Sequence, residues 1–406
     1  MPAGIAVTGL GLVTPAGIGV AGNWERLLSG RSCATRDEAL SGMPVDFSAR
    51  VPDFDADDVL GGFSSWQHER FVQLGLAASR MAIEDAGWDS GTWDGTRVGI
   101  VLGNSLGGAA TLEEQYDVLR EAGPGRVSPL TITKYMPNML AGSIAIDCHA
   151  TGPGLAVGTA CASGATAVGM ARDLLRSGAC DIVLAGASES ALTPTVMAGL
   201  TKMGALSRHR EAPEYAGRPF DAERDGFVAA EGAGVLVLER AEDAQARGAG
   251  VRALVQGYGA SSDAHHATAP EPEGRGIEQA LRLALEDADI APGDVDHVNA
   301  HGTSTPMNDV IEGRMLRRVL GPRPAVTSTK GVTGHALAAA GALEAAYTVL
   351  AVQHGTVPPT ANLKNQDPEI ELDVVSGEPR RTRIDAAVST SLGFGGHNAA
   401  LVLTPA

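Results

Sequence analysis

The sequence predicts an α/β fold made of two similar halves. Short apolar segments alternate with longer segments rich in small residues, and several of the short segments are apolar throughout, as in strands covered on both faces. A six-residue pattern also recurs, because Met81–Ala86 (MAIEDA) and Leu283–Ala288 (LALEDA) each end a predicted helix. A glycine-containing loop and an apolar strand follow in both places, so a duplicated chain is predicted.

The short apolar segments are predicted to be strands because turn-forming or polar residues bound them. In chain order they are Ile5–Thr8, Val98–Gly103, Asp181–Ala187, Gly234–Glu239, Ala253–Tyr258, His297–Ala300, Ala325–Ser328, Ala387–Thr390 and Ala400–Leu403.

The longer segments are predicted to be helices, and most of them are rich in alanine and glycine. In chain order they are Arg70–Ala86, Ser163–Ser177, Gly276–Asp289, Asp309–Leu320 and Ala336–His354. We divide the chain near Gly250, where Gln245–Val251 resembles a helix end and a turn. No long linker separates the halves 1–250 and 251–406, so we expect them to share one core.

The charge balance and the cysteines exclude several classes of protein. With 31 Lys and Arg against 48 Asp and Glu among 406 residues, the net charge is −17, which opposes non-specific nucleic-acid binding. The four cysteines show no CxxC spacing, and His265 and His266 lack a third ligand, so no metal site is predicted. No apolar run of about 18 residues predicts a membrane span, and without a recognisable signal peptide a cytoplasmic location is expected.

Cys161 is the first candidate for chemistry. It lies in Val157–Gly164 (VGTACASG), where a strand-like run ends and a small-residue helix begins. A thiol at a helix N-terminus meets unpaired N–H groups and the positive end of the helix dipole, which favour the nucleophilic thiolate. A merely buried thiol is the alternative, and we expect it for Cys33, Cys148 and Cys180.

His301 is the second candidate. The segment VNAHGTST delivers it to the C-terminal end of an apolar strand, the edge at which open α/β sheets bind ligands. The hydroxyls of Thr303 and Thr305 are placed to bond the amides of an extended ligand. A histidine with a purely structural hydrogen bond is the alternative.

The segment STKGVTGH carries Lys330 and His335 to the start of a small-residue helix. Glu344 lies within that helix among alanine and glycine, where a carboxylate needs a partner or a polar cavity. Lys330 and Glu344 are each embedded among apolar or small neighbours, so both are expected to be paired. Asp309 and Glu312, which follow the His301 loop, are candidates to neutralise Lys330.

Glycines surround Phe394 in the segment SLGFGGHN. They indicate a backbone that approaches another group closely. A tight turn between the last two predicted strands is the alternative. Both interpretations are compatible, because a turn can present N–H groups to an oxyanion.

Taken in order, these four motifs resemble those of the elongating β-ketoacyl-acyl carrier protein synthases, condensing enzymes of the thiolase superfamily. Arg218–Phe227 (RPFDAERDGF) also matches the family pattern, and the resemblance extends from Ile5 to Leu403. It implies a thiolase-like five-layer αβαβα fold. The half 1–250 would carry the nucleophilic cysteine, and the half 251–406 would carry the His/Lys/His residues.

The resemblance also implies a decarboxylative Claisen condensation. Cys161 would take an acyl group from acyl carrier protein. His301 and His335 would assist the decarboxylation of malonyl-acyl carrier protein and stabilise the enolate, whose attack extends the chain by two carbons. Lys330 and Glu344 would order the site. No cofactor is implied, since the phosphopantetheine arm arrives on the carrier protein.

Further roles follow from the same resemblance. The backbone N–H groups of Cys161 and Phe394 would form an oxyanion hole. Phe394 would also gate the acyl pocket. The other residues that would contact the substrate are Thr303, Thr305 and Thr268 along the pantetheine arm, and Leu392 and Leu106 at the acyl pocket.

The residue set narrows the subclass. Two histidines with a lysine differ from the Cys-His-Asn of initiating synthases and plant-type polyketide synthases, and the second cysteine of biosynthetic thiolases is absent. Elongation in fatty acid biosynthesis is therefore predicted. A type II polyketide ketosynthase, alone or paired with a chain-length-factor subunit, is the alternative. Cys161 argues against a non-catalytic chain-length factor.

The implied partners are acyl carrier protein and the malonyl and acyl thioesters that it carries. Carrier proteins are acidic, so docking needs a local positive patch, for which Lys202, Arg208 and Arg210 are candidates; a solvated loop is the alternative. The family is normally dimeric. We place part of the interface at Lys134–Ile144, in a homodimer or in a heterodimer with a homologous subunit.

Overall fold

A computed structural model describes residues 4–61 and 65–406 of the chain. Its strands β1 to β16 are Ile5–Thr14, Gly17–Ile18, Thr35–Arg36, Phe47–Ser48, Val98–Gly103, Gly154–Val157, Ile182–Glu189, Gly232–Arg240, Ala253–Ser262, His297–Asn299, Ala325–Thr327, Thr356–Val357, Asp373–Val374, Arg380–Arg381, Ala387–Gly393 and His397–Thr404.

Helices connect these strands and cover them. The helices named here, α1 to α13, are Val20–Leu28, Ala56–Leu60, Arg70–Asp85, Ala109–Ala122, Thr131–Tyr135, Met139–Asp147, Ser163–Arg176, Pro194–Met203, Ala241–Ala246, Arg275–Ala288, Pro306–Leu320, Lys330–Thr333 and Ala340–His354. Within the described ranges, no helix is both long and apolar enough to cross a bilayer.

The main sheet repeats one topology twice. Its order is β13-β11-β10-β15-β16-β9-β1-β8-β7-β5-β6, with β2 paired to β1. From β1 outward, the pairs with β8 and then β7 are antiparallel, and those with β5 and then β6 are parallel. From β9 outward, β16, β15, β10 and β11 follow the same pattern. The predicted duplication is therefore confirmed, while the division at residue 250 stays a prediction.

Five layers result from where the helices pack. Helix α3 covers β1 and β8, and α10 covers β9 and β16. Helices α7 and α13 pack against each other and contact strands of both halves, so they form the central layer. The two halves of the main sheet, which the β1–β9 pair joins, both pack on this central layer. The order helix, half-sheet, helix, half-sheet, helix confirms the expected αβαβα arrangement.

The two outer helices dock through the same device in each half. A Cβ on Gly9 would lie 2.2 Å from the carbonyl oxygen of Ala82, and one on Gly257 would lie 2.1 Å from that of Ala284. Only glycine permits such an approach. The aspartates of the repeated pattern also match, since Asp85 accepts the N–H of Leu10 and Asp287 accepts that of Tyr258.

The two central helices cross through small residues. A Cβ on Gly164 would lie 2.3 Å from the backbone nitrogen of Ala342, and one on Gly341 would lie 2.7 Å from that of Ala165. These close contacts bring the N-terminal ends of α7 and α13 together. The segments that carry the cysteine and the glutamate of the candidate site therefore meet in the middle of the molecule.

All nine predicted strands form, and most extend beyond the predicted bounds. The helix predicted from Ala336 begins only at Ala340, because Gly334 and Leu337 have positive φ and a short 3₁₀ turn follows. Among the helices named here with eight or more residues, the sequence patterns missed α1, α4, α6 and α8.

Candidate active site

One cavity of about 370 Å³ brings together residues from distant parts of the chain. Cys161 from the first half and His301 and His335 from the second half all line it. Each of these side chains is buried, with at most 7% of the residue exposed. The predicted catalytic cysteine and histidines therefore line one cavity, and each of them is buried at its wall.

Cys161 lies in a 3₁₀ turn, Ala160–Ala162, immediately before α7. Ala160 has a φ of 49°, which turns the chain sharply between β6 and the helix. Burial raises the pKa of the thiol to about 11, although the Lys330 ammonium and the Phe394 N–H both lower it. Burial therefore opposes the resting thiolate that the helix terminus was expected to favour.

His301 follows the end of β10 and His335 follows α12, and their rings meet edge to face with centroids 5.3 Å apart. Burial holds the pKa of each imidazole well below its usual value, and the Lys330 charge lowers both further. Both rings are therefore neutral at physiological pH. Phe227 packs edge-on against His335 and shields it on another side.

Lys330 lies behind the histidine pair. Its ammonium pairs with the Glu344 carboxylate, and both side chains are 3% exposed. It also donates to the His301 backbone carbonyl at 2.6 Å and lies 3.3 Å from His301 Nδ1. Since an ammonium can only donate, Nδ1 of the neutral ring is the acceptor and the ring proton is on Nε2.

The interpretation that Asp309 and Glu312 neutralise Lys330 is wrong, because both have other partners among the described residues. Glu312 accepts the N–H groups of His301 and Gly302 and the hydroxyl of Thr390.

Asp309 accepts the N–H groups of Phe220 and Ser304 and lies 3.6 Å from Nε of the Arg224 guanidinium. Burial raises the pKa of Asp309 to about 6. The two carboxylates fix the backbone that carries the His301 loop, and Glu344 balances the lysine.

The glycine-rich segment Ser391–Asn398 comes close to Cys161. The Phe394 N–H donates towards the Cys161 sulfur, and a Cβ on Gly393 would lie 3.2 Å from the Cys161 backbone nitrogen. The backbone nitrogens of Phe394 and Cys161 therefore lie on segments that adjoin beside the sulfur, and an oxyanion hole formed by their N–H groups stays a prediction.

Most of the predicted substrate-binding residues line the same cavity. The Thr303 and Thr305 hydroxyls bond each other at 2.9 Å. Thr268, Leu392 and Phe394 complete the predicted lining. Leu106 is different, because it is 40% exposed and does not line this cavity. Its expected place along an acyl pocket stays a prediction.

Sequence patterns missed several cavity residues. Phe227 ends the segment RPFDAERDGF, and that motif could have indicated it, but no signal in the sequence distinguished the others. The missed residues include Met203, Phe227, Asp263, Met307 and Asn308.

The basic residues near the cavity differ in their pairing. Lys202 adjoins Met203, a cavity residue that is half exposed. Arg208 is exposed, and Arg210 forms an ion pair with Asp46. Lys202 and Arg208 are therefore more available to an acidic partner than Arg210.

Comparison with known families assigns the chain. Residues 3–244 match the model of the beta-ketoacyl synthase N-terminal domain, and residues 252–364 match that of the C-terminal domain. The chain belongs to the beta-ketoacyl synthase family. It is therefore an enzyme of the condensing acyltransferase class.

Relatives in this family match over nearly their whole length. The chain is 42% identical to 3-oxoacyl-[acyl-carrier-protein] synthase 2 of Synechocystis sp., covering 98% of this chain and 97% of the relative. It is 41% identical to the protein of the same name from Coxiella burnetii, covering 98% of both.

Solved ketosynthase structures share the fold over 100% of both chains. The ishigamide ketosynthase/chain length factor matches with a TM-score of 0.94 at 34% identity. A type II PKS ketosynthase bound to the hexaketide, in complex with its acyl-carrier protein, matches with a TM-score of 0.92 at 33% identity.

Proposed function

We propose that this beta-ketoacyl synthase extends acyl chains by two carbons in fatty acid biosynthesis, through decarboxylative condensation of a Cys161-bound acyl group with malonyl-acyl carrier protein. The observation that carries the proposal is the convergence of a buried thiol and two neutral imidazoles on one cavity. The relatives named 3-oxoacyl-[acyl-carrier-protein] synthase 2 support it.

The first step is acyl transfer to Cys161. Burial favours the protonated thiol, so the His335 imidazole takes its proton as the sulfur attacks the thioester carbonyl, since both nitrogens of His301 are already engaged. The N–H groups of Cys161 and Phe394 hold the oxyanion. The carrier-protein thiol then leaves with the proton, which restores a neutral imidazole.

The second step makes the carbanion where it is consumed. Malonyl thioester loses CO₂, and the electron pair forms an enolate whose oxygen accepts a hydrogen bond from His301 Nε2–H. A donor of this kind contributes about 3–4 kcal/mol in comparable sites. The enolate carbon attacks the Cys161 thioester, a new carbon–carbon bond forms, and the Cys161 sulfur leaves as thiolate. The thiolate takes up one proton from solvent, which restores the resting thiol.

Lys330 acts through His301. Its donation to Nδ1 keeps the ring proton on the nitrogen that faces away from the lysine. Glu344 lets the ammonium stay charged in a dehydrated site. The reaction needs no cofactor of the enzyme's own, since the phosphopantetheine arm is part of the substrate.

The partner is an acidic carrier protein that docks beside Lys202 and Arg208. A second subunit completes the enzyme, as a homodimer or as a heterodimer with a homologue. Exposed apolar side chains near the predicted Lys134–Ile144 interface support this, since Ile132 is 61% exposed and Ile146 is 75% exposed. A cytoplasmic location is part of the same proposal.

A type II polyketide ketosynthase is the second candidate, and the likeness to solved ketosynthase structures supports it. The two candidate functions are distinguished by assaying condensation with acyl carrier proteins that carry saturated acyl chains of several lengths. A fatty-acid enzyme extends them once per cycle, whereas a polyketide enzyme condenses malonyl units repeatedly and copurifies with a homologue that lacks the cysteine.

The proposal is tested by mass spectrometry of the intact protein after incubation with acyl-acyl carrier protein. We expect one acyl adduct, located on Cys161 by peptide mapping, and a β-ketoacyl product once malonyl-acyl carrier protein is added. The Cys161→Ala protein should remain unlabelled. Acylation of another cysteine, or no adduct with any acyl donor, would overturn the proposal.

A further inference from the structure

Asn308 is a polar residue of the cavity wall that the catalytic steps above do not use. It lies in the first turn of α11, which begins at Pro306, and it is 8% exposed. Its neighbour Met307 is 53% exposed and lines the same cavity. Asn308 is therefore a buried amide just inside the rim of the substrate entrance.

The orientation of this amide is fixed by two carboxylates. Its nitrogen Nδ2 lies 3.2 Å from Asp309 Oδ1 and 3.3 Å from Glu312 Oε2. Carboxylate oxygens accept hydrogen bonds, so the nitrogen must face them and the oxygen Oδ1 must face the other way. The opposite amide orientation would place three oxygens together.

The side-chain oxygen Oδ1 of Asn308 has no hydrogen-bond donor among the described residues. Within residues 4–61 and 65–406, this oxygen is not among the fully buried atoms, although the residue as a whole is 8% exposed. The oxygen therefore faces the open space of the cavity that Asn308 lines. When no ligand is bound, water satisfies this acceptor, and a ligand that displaces the water keeps the hydrogen bond only if it brings a donor of its own. Asn308 Oδ1 is therefore a hydrogen-bond acceptor that is available to a ligand in this cavity.

The nearby hydroxyls have the complementary chemistry. Thr303 and Thr305 bond each other, so one of the two hydroxyl hydrogens remains for a ligand acceptor. Together with Asn308 they offer one donor and one acceptor. An amide carries both a carbonyl and an N–H, and the phosphopantetheine arm has two amides.

We propose that Asn308 Oδ1 accepts a hydrogen bond from an amide N–H of the pantetheine arm, and that Asn308 is thereby a specificity residue for amide-containing thioester arms. This inference rests on the proposed function, since it takes the arm as the occupant of the cavity. It adds a contact that the resemblance did not imply.

The test is a double-mutant-type cycle that changes both the thioester arm of the substrate and Asn308 of the enzyme. Malonyl-pantetheine is compared with two analogues, in each of which one amide N–H is replaced by an ester oxygen. For the native enzyme, one of the analogues should lose about 2- to 12-fold in kcat/KM, the range of one neutral hydrogen bond. In Asn308→Leu, this loss should disappear, while the other analogue should behave as before.

Control variants distinguish a loss of folding or catalysis from a loss of discrimination between amide and ester arms. Asn365→Leu, at an exposed position, should retain the native discrimination between amide and ester. Asn308→Ser serves if Asn308→Leu does not fold. Equal use of amide and ester arms by the native enzyme, or unchanged discrimination in the Asn308 variants, would overturn the inference. Failure of the proposed function would instead appear as a native enzyme that forms no Cys161 adduct with any of these thioesters.

Discussion

The imidazole of His335 meets that of His301 edge to face, with an interplanar angle of 85° and centroids 5.3 Å apart. Two protonated rings at this separation would repel each other and the nearby Lys330 ammonium. Burial and that ammonium together keep both rings uncharged. The pair is therefore built to donate hydrogen bonds to developing negative charge rather than to supply a positive charge of its own.

This arrangement predicts that decarboxylation and condensation can be separated. His301→Ala should lose about 10²–10³-fold in malonyl decarboxylation, because the donor to the enolate oxygen is removed. Cys161→Ala should lose condensation but retain decarboxylation. Release of labelled CO₂ from malonyl-acyl carrier protein measures both variants. Native decarboxylation by His301→Ala would show that His301 does not hold the enolate.

The buried thiol predicts an unusual pH profile for alkylation. Because burial raises the pKa of Cys161 to about 11, the thiolate fraction should still increase about tenfold per unit between about pH 7 and pH 10. Iodoacetamide labelling of Cys161, followed by peptide mass spectrometry, checks this.

Peptide mapping is needed because burial also raises the pKa of the other three cysteines. The Cys161→Ala protein corrects for labelling at those sites. A labelling rate that levels off below about pH 8.5 would indicate a resting thiolate instead.

The pair formed by Lys330 and Glu344 predicts a stability effect. Glu344→Ala leaves the ammonium buried without a counter-charge and should lower the free energy of unfolding by about 3–5 kcal/mol. The double variant Lys330→Met/Glu344→Leu removes both charges and should be more stable than the single variant, yet inactive. Denaturant unfolding measures the stabilities. A double variant less stable than Glu344→Ala would contradict this account.

The repeated glycine contacts predict equivalent effects in the two halves. Gly9→Ala and Gly257→Ala should each lower stability by about 1–3 kcal/mol, because the added methyl meets a helix carbonyl. Gly199→Ala is the control: it lies in α8 with nothing within 4 Å of its Cβ position, so its stability should be equal or slightly higher. Thermal unfolding of the three proteins tests this, and equal melting temperatures would refute it.

Much of the fold could be predicted from the sequence because both of its signals are local. Apolar strands such as Val98–Gly103 need covering on both faces, and the MAIEDA and LALEDA segments marked the repeat. Helix α4 was missed although Leu112, Tyr116 and Leu119 recur at helical spacing. In the structure all three side chains are exposed, so this apolar stripe does not pack in the core of this chain.

The sequence predicted which residues line the candidate site better than it predicted how those residues pair with one another. Motif order pointed to Cys161, His301 and His335, which the structure brings to one cavity. The partner of Lys330 could not be read from the sequence, because Glu344, Asp309 and Glu312 are all acidic residues near the motifs and only the packing of α13 selects the first. The thiol's protonation state depends on dehydration, which no local pattern records.

The contact of Gly164 with Ala342, and of Gly341 with Ala165, joins the polypeptide's two lobes at the point where the nucleophile must meet the two imidazoles. A larger side chain on either side would spread that seam and separate the sulfur from the rings. Chimeras that combine one lobe of this protein with the complementary lobe of a distant relative should therefore assemble poorly or be inert unless the four seam positions are transplanted as a set.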